Sequence, residues 1–208
     1  MGYALWEALQ WILAPRCGRL IRRTVREHFS QIGAGRWLDV GCGPRSLIAQ
    51  TLPGTVVGID CSTEILHETQ RDNVTCITAT ATALPFTAES FDGVVSFGML
   101  HHVSEQDAET ALTEMRRVTR PGGVVLLFDS VSPVSSARRP LAALLRKLDH
   151  GCYVRDEATL RRLLNHHGFD IGRRITYSWT GLEGCWAVLV NSGRENVERH
   201  IDDQNIMR

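Results

Sequence analysis

The chain carries no net charge. Its 23 lysines and arginines are matched by 23 aspartates and glutamates across 208 residues. A dedicated nucleic-acid binder carries a basic excess against phosphate, so nucleic acid is not an expected partner. Lysine is nearly absent: Lys147 stands alone beside 22 arginines. Long apolar runs are missing as well. Val124 to Phe128 is typical of the longest, far short of the ~20 residues that span a bilayer. Glu7 and Gln10 break the N-terminal apolar stretch, which is not how a secretory signal reads. The six cysteines, at 17, 42, 61, 76, 152 and 185, form no C-x-x-C pair, so a zinc ribbon and a thioredoxin motif are excluded. No His, Cys or Asp spacing suggests a metal. No repeat of fixed period is present. Scattered thiols of this kind predict a reduced, cytoplasmic protein.

What is present is the material of one globular domain. Apolar residues make up 43% and charged residues 22%, which is enough for a core and excludes disorder as the dominant state. The zero net charge hides a pattern. Residues 1–36 hold six Arg against two Glu, and residues 37–137 hold five Arg against twelve acids. Residues 138–174 hold nine basic side chains against four acids, and 175–208 hold three against five. Two basic segments therefore flank an acidic centre.

From residue 37 short apolar runs alternate with helical periodicity. Trp37 to Val40 reads as a strand that ends in Gly41-Cys42-Gly43, and Leu47, Ile48, Thr51 and Leu52 then follow helical spacing. Thr55 to Asp60 is a second strand, with Ser62 placed to cap a following helix. Val74 to Ile77 and Phe91 to Phe97 are the third and fourth. Ala108, Ala111, Leu112, Met115 and Val118 share a helical face. Ser104 is its expected N-cap, and Arg120-Pro121-Gly122-Gly123 its stop. Val124 to Asp129 is a fifth strand. Leu160, Leu163, Leu164 and His167 mark a helix closed by Gly168, and Ile171–Tyr177 and Cys185–Val190 pair at the end. The alternation predicts an α/β fold with a mostly parallel sheet covered on both faces. Such sheets bind ligands at the carboxyl ends of their strands, beside the topological switch point. Residues 131–153 lie outside the alternation, with Leu141, Leu144, Leu145 and Leu148 on one helical face.

The strand running into Gly41 and Gly43 is a ligand-approach signal, because glycine lets backbone come close. A dinucleotide loop needs Gly or Ala at the third position of its pattern, where Ser46 stands. Asp39 precedes the first glycine by two residues and suits a cationic amino group. Asp60 ends the second strand, 19 residues after Gly41, where a carboxylate can accept from ribose hydroxyls.

Five ordered blocks extend this. They are Leu38-Asp39-Val40-Gly41-Cys42-Gly43 with Val57-Gly58-Ile59-Asp60; Ala83-Leu84-Pro85-Phe86; Ser90-Phe91-Asp92-Gly93-Val94-Val95; Met99-Leu100-His101-His102-Val103; and Met115-Arg116-Arg117-Val118 with Arg120-Pro121-Gly122-Gly123. In these blocks the chain resembles the class I S-adenosylmethionine-dependent methyltransferases. More narrowly, it resembles their small-molecule branch, which includes the ubiquinone and menaquinone biosynthesis C-methyltransferases. The resemblance implies a doubly wound, mostly parallel seven-stranded sheet with an antiparallel final strand and a small helical cap. It implies one domain over 1–208: an N-terminal helical lid at 1–36, a cofactor-binding core at 37–130 and a cap insertion at 131–154. The final helix and strand pair occupy 155–190, and a polar tail 191–208. The cofactor is then S-adenosylmethionine and the product S-adenosylhomocysteine. Gly41, Cys42 and Gly43 would line the methionine part, Asp39 would face its amino group, Asp60 would hold the ribose, and Cys61 would pack near the adenine. Thr80, beside Ala81, stands where the family usually has an acidic residue for the adenine amino group. Ser96 and Phe97 complete the expected cofactor set. Arg45 would stand near the cofactor carboxylate.

Methyl transfer from a sulfonium needs the acceptor held in line, and positioning supplies ~7–11 kcal/mol. A general base is needed where the acceptor must lose a proton. His101 and His102, after the fourth strand, are the candidates, with packing as the competing reading. His166-His167 reads as solvated capping. The expected partner is a small-molecule acceptor. Arg138, Arg139, Arg146 and Lys147 would steer an anionic or amphipathic one. Trp6, Leu9, Ile12 and Leu13, followed by arginines, fit either a lid helix or a peripheral membrane contact. A homodimer is also compatible with the sequence. Two other functions stay open: cofactor binding without turnover, and protein or RNA methylation. The Ser96-Phe97-Gly98-Met99 stretch lacks the catalytic tetrapeptide of adenine or glutamine amide methylation.

Overall fold

The structure is a computed structural model that describes residues 17–44, 46, 48–49, 51–63, 74–135, 139–148 and 152–192, with backbone only for 146–148. The elements are α1 (Cys17–Phe29), β1 (Gly35–Val40), β2 (Gly54–Asp60), β3 (Val74–Thr78), β4 (Phe91–Phe97) and a 3-10 turn (Leu100–His102). They continue as α2 (Glu105–Val118), β5 (Thr119–Val131), α3 (Pro140–Leu148), α4 (Glu157–His166), β6 (Asp170–Thr176) and β7 (Glu183–Val190).

The seven strands form one sheet in the order β3-β2-β1-β4-β5-β7-β6. β1 to β5 pair in parallel, β7 runs antiparallel to β5, and β6 runs antiparallel to β7. β7 is therefore the single reversed strand. The order turns back between β1 and β4, which opens the crevice at their carboxyl ends. The strands are apolar because both faces are covered. Successive residues point to opposite faces. Leu38, Val94, Val125 and Leu127 join one buried cluster with α2 and α4. Trp37, Val95 and Leu126 join the other with Ile21, Val25 and Phe29 of α1. Gly93 makes room in that layer, since a Cβ there would stand 2.5 Å from the Phe29 ring.

α2 forms where its signals place it. Ser104 Oγ accepts from Asp107 N, acids fill the first turn and Arg116 and Arg117 the last. Charges so placed oppose the helix dipole. Its Ala108, Ala111, Leu112, Met115 and Val118 are buried, and full burial of a Leu- or Met-sized side chain contributes ~1.5–3 kcal/mol.

Three expectations change. β5 starts at Thr119, not Val124, because Arg120–Gly123 forms a bulge in which the register shifts between Phe91 and Gly93. Asn191 pins it: Gly122 N donates to Asn191 O, and Asn191 Nδ2 donates to Thr119 O at 2.6 Å. The helix expected over Leu47–Leu52 is one turn among the described residues, with Thr51 N and Leu52 N both donating to Ile48 O. α1 is a layer on the sheet face rather than a cover over the crevice, so within 1–36 any lid rests on 1–16, outside the described residues. The helix expected after Ser62 and most of the polar tail also lie outside them. No described helix is long and apolar enough to cross a membrane.

Candidate cofactor and acceptor site

The carboxyl end of β1 turns at Gly41 (φ 74°) and Gly43 (φ 59°). Side chains rarely adopt this left-handed region. A Cβ on Gly41 would also stand 2.8 Å from Met99 Cγ, so the exits of β1 and β4 meet there. The loop turns its N–H groups toward β2. Gly41 N and Cys42 N donate to Ile59 O at 2.9 and 3.0 Å, and Gly43 N donates to Asp60 Oδ2 at 3.1 Å. A pyrophosphate cradle needs such donors facing outward, so this loop does not suit a dinucleotide.

Two carboxylates flank the loop. Asp39 is buried, and its Oδ2 accepts from Ser46 Oγ at 2.6 Å. Burial pushes its carboxyl up to about 7; the Ser46 bond opposes the rise and the charge of Asp60 adds to it. A nearby cation would relieve this strongly. Asp60 Oδ2 accepts from Gly43 N, and Oδ1 from Ser62 N at 3.0 Å. A carboxylate oxygen has about two acceptor sites, so each Asp60 oxygen keeps capacity for one hydroxyl of a vicinal diol. A ligand with an ammonium group, a ribose and no phosphate fits these residues, and S-adenosylmethionine has that composition.

The other expected cofactor residues fall around this pair. Cys42 is buried, and its thiol, raised by burial and by Asp39, stays protonated; it packs where a Cβ on Gly58 would stand 2.8 Å from Sγ. Cys61 is exposed after β2. Thr80 is exposed beyond β3, its hydroxyl bonded to Thr82 Oγ1 at 2.8 Å, and Ala81 packs on the core. Ser96 Oγ donates to Val40 O at 2.8 Å in a buried site, so its hydroxyl holds β4 to β1. Arg45 lies outside the described residues.

The two histidines separate. His102 is exposed, whereas His101 is buried with Nδ1 2.5 Å from Asp129 Oδ1, two residues before the end of β5. Their rings touch, with centroids 4.2 Å apart. His167 is the C-cap of α4, as expected, and His166 is exposed, but the His167 ring is half-buried rather than solvated: its Nε2 is buried without a hydrogen bond, and burial lowers its pKa. No described group of three or more His, Cys, Asp or Glu could hold a metal ion.

Phe97 packs edge-on against Trp186, which also contacts Phe128; Phe128 in turn meets Tyr177. These rings make an aromatic wall beside the β4 and β5 exits. The sequence reading did not single out Asp129, Arg155 or this wall. Asp129 had a signal, an acid ending the expected fifth strand at the ligand edge; Arg155 and Trp186 had none, because segments far apart in the chain bring them there.

The steering role expected of Arg139 is not available to it. Its Nη1 reaches Glu183 Oε1 at 2.8 Å and Gly181 O at 3.0 Å, which fastens α3 to the β6–β7 hairpin. Glu183 is buried and also holds Arg174 at 2.7 Å. Arg138 and the side chains of Arg146 and Lys147 lie outside the described residues.

A family model described as "Methyltransferase domain" matches residues 38–127. The demethylmenaquinone methyltransferase of Beutenbergia cavernae is 35% identical over 194 residues, covering 89% of this chain and 76% of that protein. One from a Mycobacterium species (strain KMS) is 36% identical over 118 residues, 54% of this chain; the match spans about half, 50%, of that relative's length. A phosphoethanolamine N-methyltransferase 2 of Haemonchus contortus, solved with S-adenosyl-L-methionine, shares the fold at TM-score 0.66 and 17% identity, over 83% of this chain and 52% of that one. The glycine turn, the two flanking carboxylates, the strand order and the extent of this similarity agree: the chain belongs to the class I S-adenosylmethionine-dependent methyltransferases.

Proposed function

We propose that this methyltransferase acts on a small, hydrophobic acceptor seated between the β4 and β5 exits, with a quinone-like ring as the leading candidate. The observation that carries it is the run of rings Phe97, Trp186 and Phe128 at the carboxyl end of β4 and along β5, and the cofactor side rests on the buried Asp39 carboxyl beside the left-handed glycines. In this reading Asp39 takes the ammonium group, Gly41, Cys42 and Gly43 line the methionine part, and Asp60 takes the ribose diol. Cys61, Thr80 and Ala81 border the adenine, with Thr80 giving a neutral contact in place of a charged one. Ser96 and Phe97 form the floor below the methyl group. The cofactor supplies an electrophilic methyl on sulfur. The chain's own residues hold the acceptor in line and keep water out. The aromatic wall of Phe97, Phe128 and Trp186 supports a planar, apolar acceptor, as do the relatives named for demethylmenaquinone. Residues 1–16 and the cap insertion at 131–154 would close over it. The arginine-flanked N-terminal segment would touch an anionic membrane surface where such an acceptor resides. The acceptor being small, no nucleic acid is needed as a partner.

A second reading, cofactor binding without turnover, is favoured by one feature: the Thr80 hydroxyl is engaged with Thr82. Calorimetry together with an acceptor screen separates the readings. S-adenosylmethionine and S-adenosylhomocysteine should bind the full chain, Asp60→Asn should weaken both, and a panel of quinols, phenols and amines should yield at least one methylated product. Binding with no product across the panel would favour the second reading.

A further inference from the structure

Residues 79–90 join β3 to β4 without helix or strand, and Thr80 and Ala81 lie on this segment. It starts beside the second carboxylate of the site: Ala79 N donates to Asp60 O at 3.0 Å. Its own main-chain bonds are few. Ala83 N donates to Thr80 O at 3.2 Å and Phe86 N to Leu84 O at 2.8 Å. The Thr80 hydroxyl is engaged locally, with Thr82 Oγ1 at 2.8 Å and with Thr82 N at 3.3 Å. Ala81 offers a methyl group. Polar recognition of a base along 79–81 therefore falls to the main chain, and main chain discriminates only when it is held in one arrangement.

The hold comes from α2. Glu114 Oε2 accepts from Leu84 N at 2.8 Å. Arg117 Nη1 donates to Phe86 O at 2.8 Å, and Nη2 donates to Leu84 O at 3.1 Å. The two side chains also hold each other, Nε to Oε1 at 2.6 Å and Nη2 to Oε2 at 2.8 Å. This is a forked, charge-assisted pair, which fixes direction as well as distance. Bonding to Arg117 keeps the Glu114 carboxyl below its ordinary value. The pair stands on a rigid base, because Ala111, Leu112, Met115 and Val118 of α2 are buried. A helix gains little from such a pair by itself. Here it gives partners to the main chain of another segment, on both sides of Pro85.

We propose that Glu114 and Arg117 are positioning residues for the adenine end of the cofactor site, and that selectivity for the base depends on this pair. The proposal rests on the reading above in which Thr80 and Ala81 border the adenine. The pair touches neither cofactor nor acceptor. It fixes Leu84 and Phe86, while Asp60 O fixes Ala79, so the main chain between the two anchors presents one pattern of N–H and C=O groups. Without the pair that stretch is held at one end. Affinity for adenine then falls with the share of time spent in the fitting arrangement. The ammonium and ribose contacts at Asp39 and Asp60 are untouched.

The test is calorimetry on the full chain with S-adenosylhomocysteine and with S-inosylhomocysteine, whose base edge exchanges the donor and acceptor of adenine. The wild type should prefer the adenine ligand by about 10²-fold. Arg117→Met keeps an apolar stem and removes the fork, and it should cut the preference to about tenfold or less. Glu114→Gln should act in the same direction. Arg117→Lys should not restore the preference, because a point charge cannot replace the fork. A purely structural pair changes both affinities equally or neither, so a preference that stays at the wild-type value in Arg117→Met overturns the proposal. A second measurement uses the wild type alone. The Leu84 amide should exchange with solvent at least about 10²-fold more slowly than in an unfolded chain, with or without ligand. Exchange at the unfolded rate overturns the clamp even where a variant fails to fold. Equal binding of the two ligands by the wild type overturns the base selectivity and leaves cofactor binding standing. Failure of the wild type to bind either ligand overturns the proposed function beneath it.

Discussion

Single residues decide how this site treats charge and protons. Asp39 titrates near 3.8 when solvated and up to about 7 in the fold, mainly through burial. A raised folded value means that its contribution to stability is complete below the unfolded value and is lost as pH rises through about 7. Urea midpoints of the ligand-free chain should therefore fall across that window, and Asp39→Asn should flatten the slope. If the ammonium group of S-adenosylmethionine docks against Asp39, binding at a pH of about 6 should release a proton. Calorimetry in two buffers of different ionisation enthalpy should reveal it, and Asp39→Asn should erase it. Gly41→Ala places a side chain at φ 74° and 2.8 Å from Met99 Cγ. Strain of that kind costs ~1–3 kcal/mol, so both the urea midpoint and cofactor affinity should drop. The chemical types here were legible in the sequence: an acid two residues before a glycine turn, and an acid ending the next strand. The burial of Asp39 was not, since it depends on what packs above β1.

Elements fix which side chains reach the acceptor edge. β7 lies in the sheet between β5 and β6, and it brings Trp186 beside Phe128 and Glu183 beneath the cap. Glu183 bridges Arg139 of the cap and Arg174 of β6. Removing one member of a buried ion network leaves charge uncompensated and costs ~3–5 kcal/mol. Glu183→Gln should fall near the lower figure, because Arg139 is partly exposed, and chemical denaturation measures it. Cofactor affinity should change little, since Asp39 and Asp60 sit on the opposite half of the sheet. The helix signals of α2 were legible because capping and periodicity are local. The hold of Arg155 on the turn that carries His101 was not, because Arg155 and Leu100 are 55 residues apart in sequence.

At the scale of the molecule, two apolar layers on one twisted sheet leave a single edge where chain exits converge. A ligand that binds only this folded edge stabilises the whole. S-adenosylhomocysteine at a hundredfold excess over its Kd should raise unfolding free energy by ~2.7 kcal/mol. NAD should raise the melting temperature by nothing measurable, because the loop N–H groups are already engaged by Ile59 and Asp60. The charge division of the sequence also finds its meaning here. The acidic centre contains Asp39, Asp60 and Asp129 in the carboxyl-terminal parts of β1, β2 and β5.

The sequence by itself determined the fold class, the positions of five parallel strands, α2 with its cap, and the glycine turn with its two acids. Those features rest on short-range periodicity and on residue types that backbone geometry demands locally. Only the tertiary structure decided that His101 rather than His102 is buried against a carboxylate, that Arg139 is bound to Glu183, and that aromatic rings from three strands meet beside the β4 tip. Each of these is a contact between segments far apart in the chain. Their free energy depends on burial and on the charges brought together, and neither is a property of the local sequence.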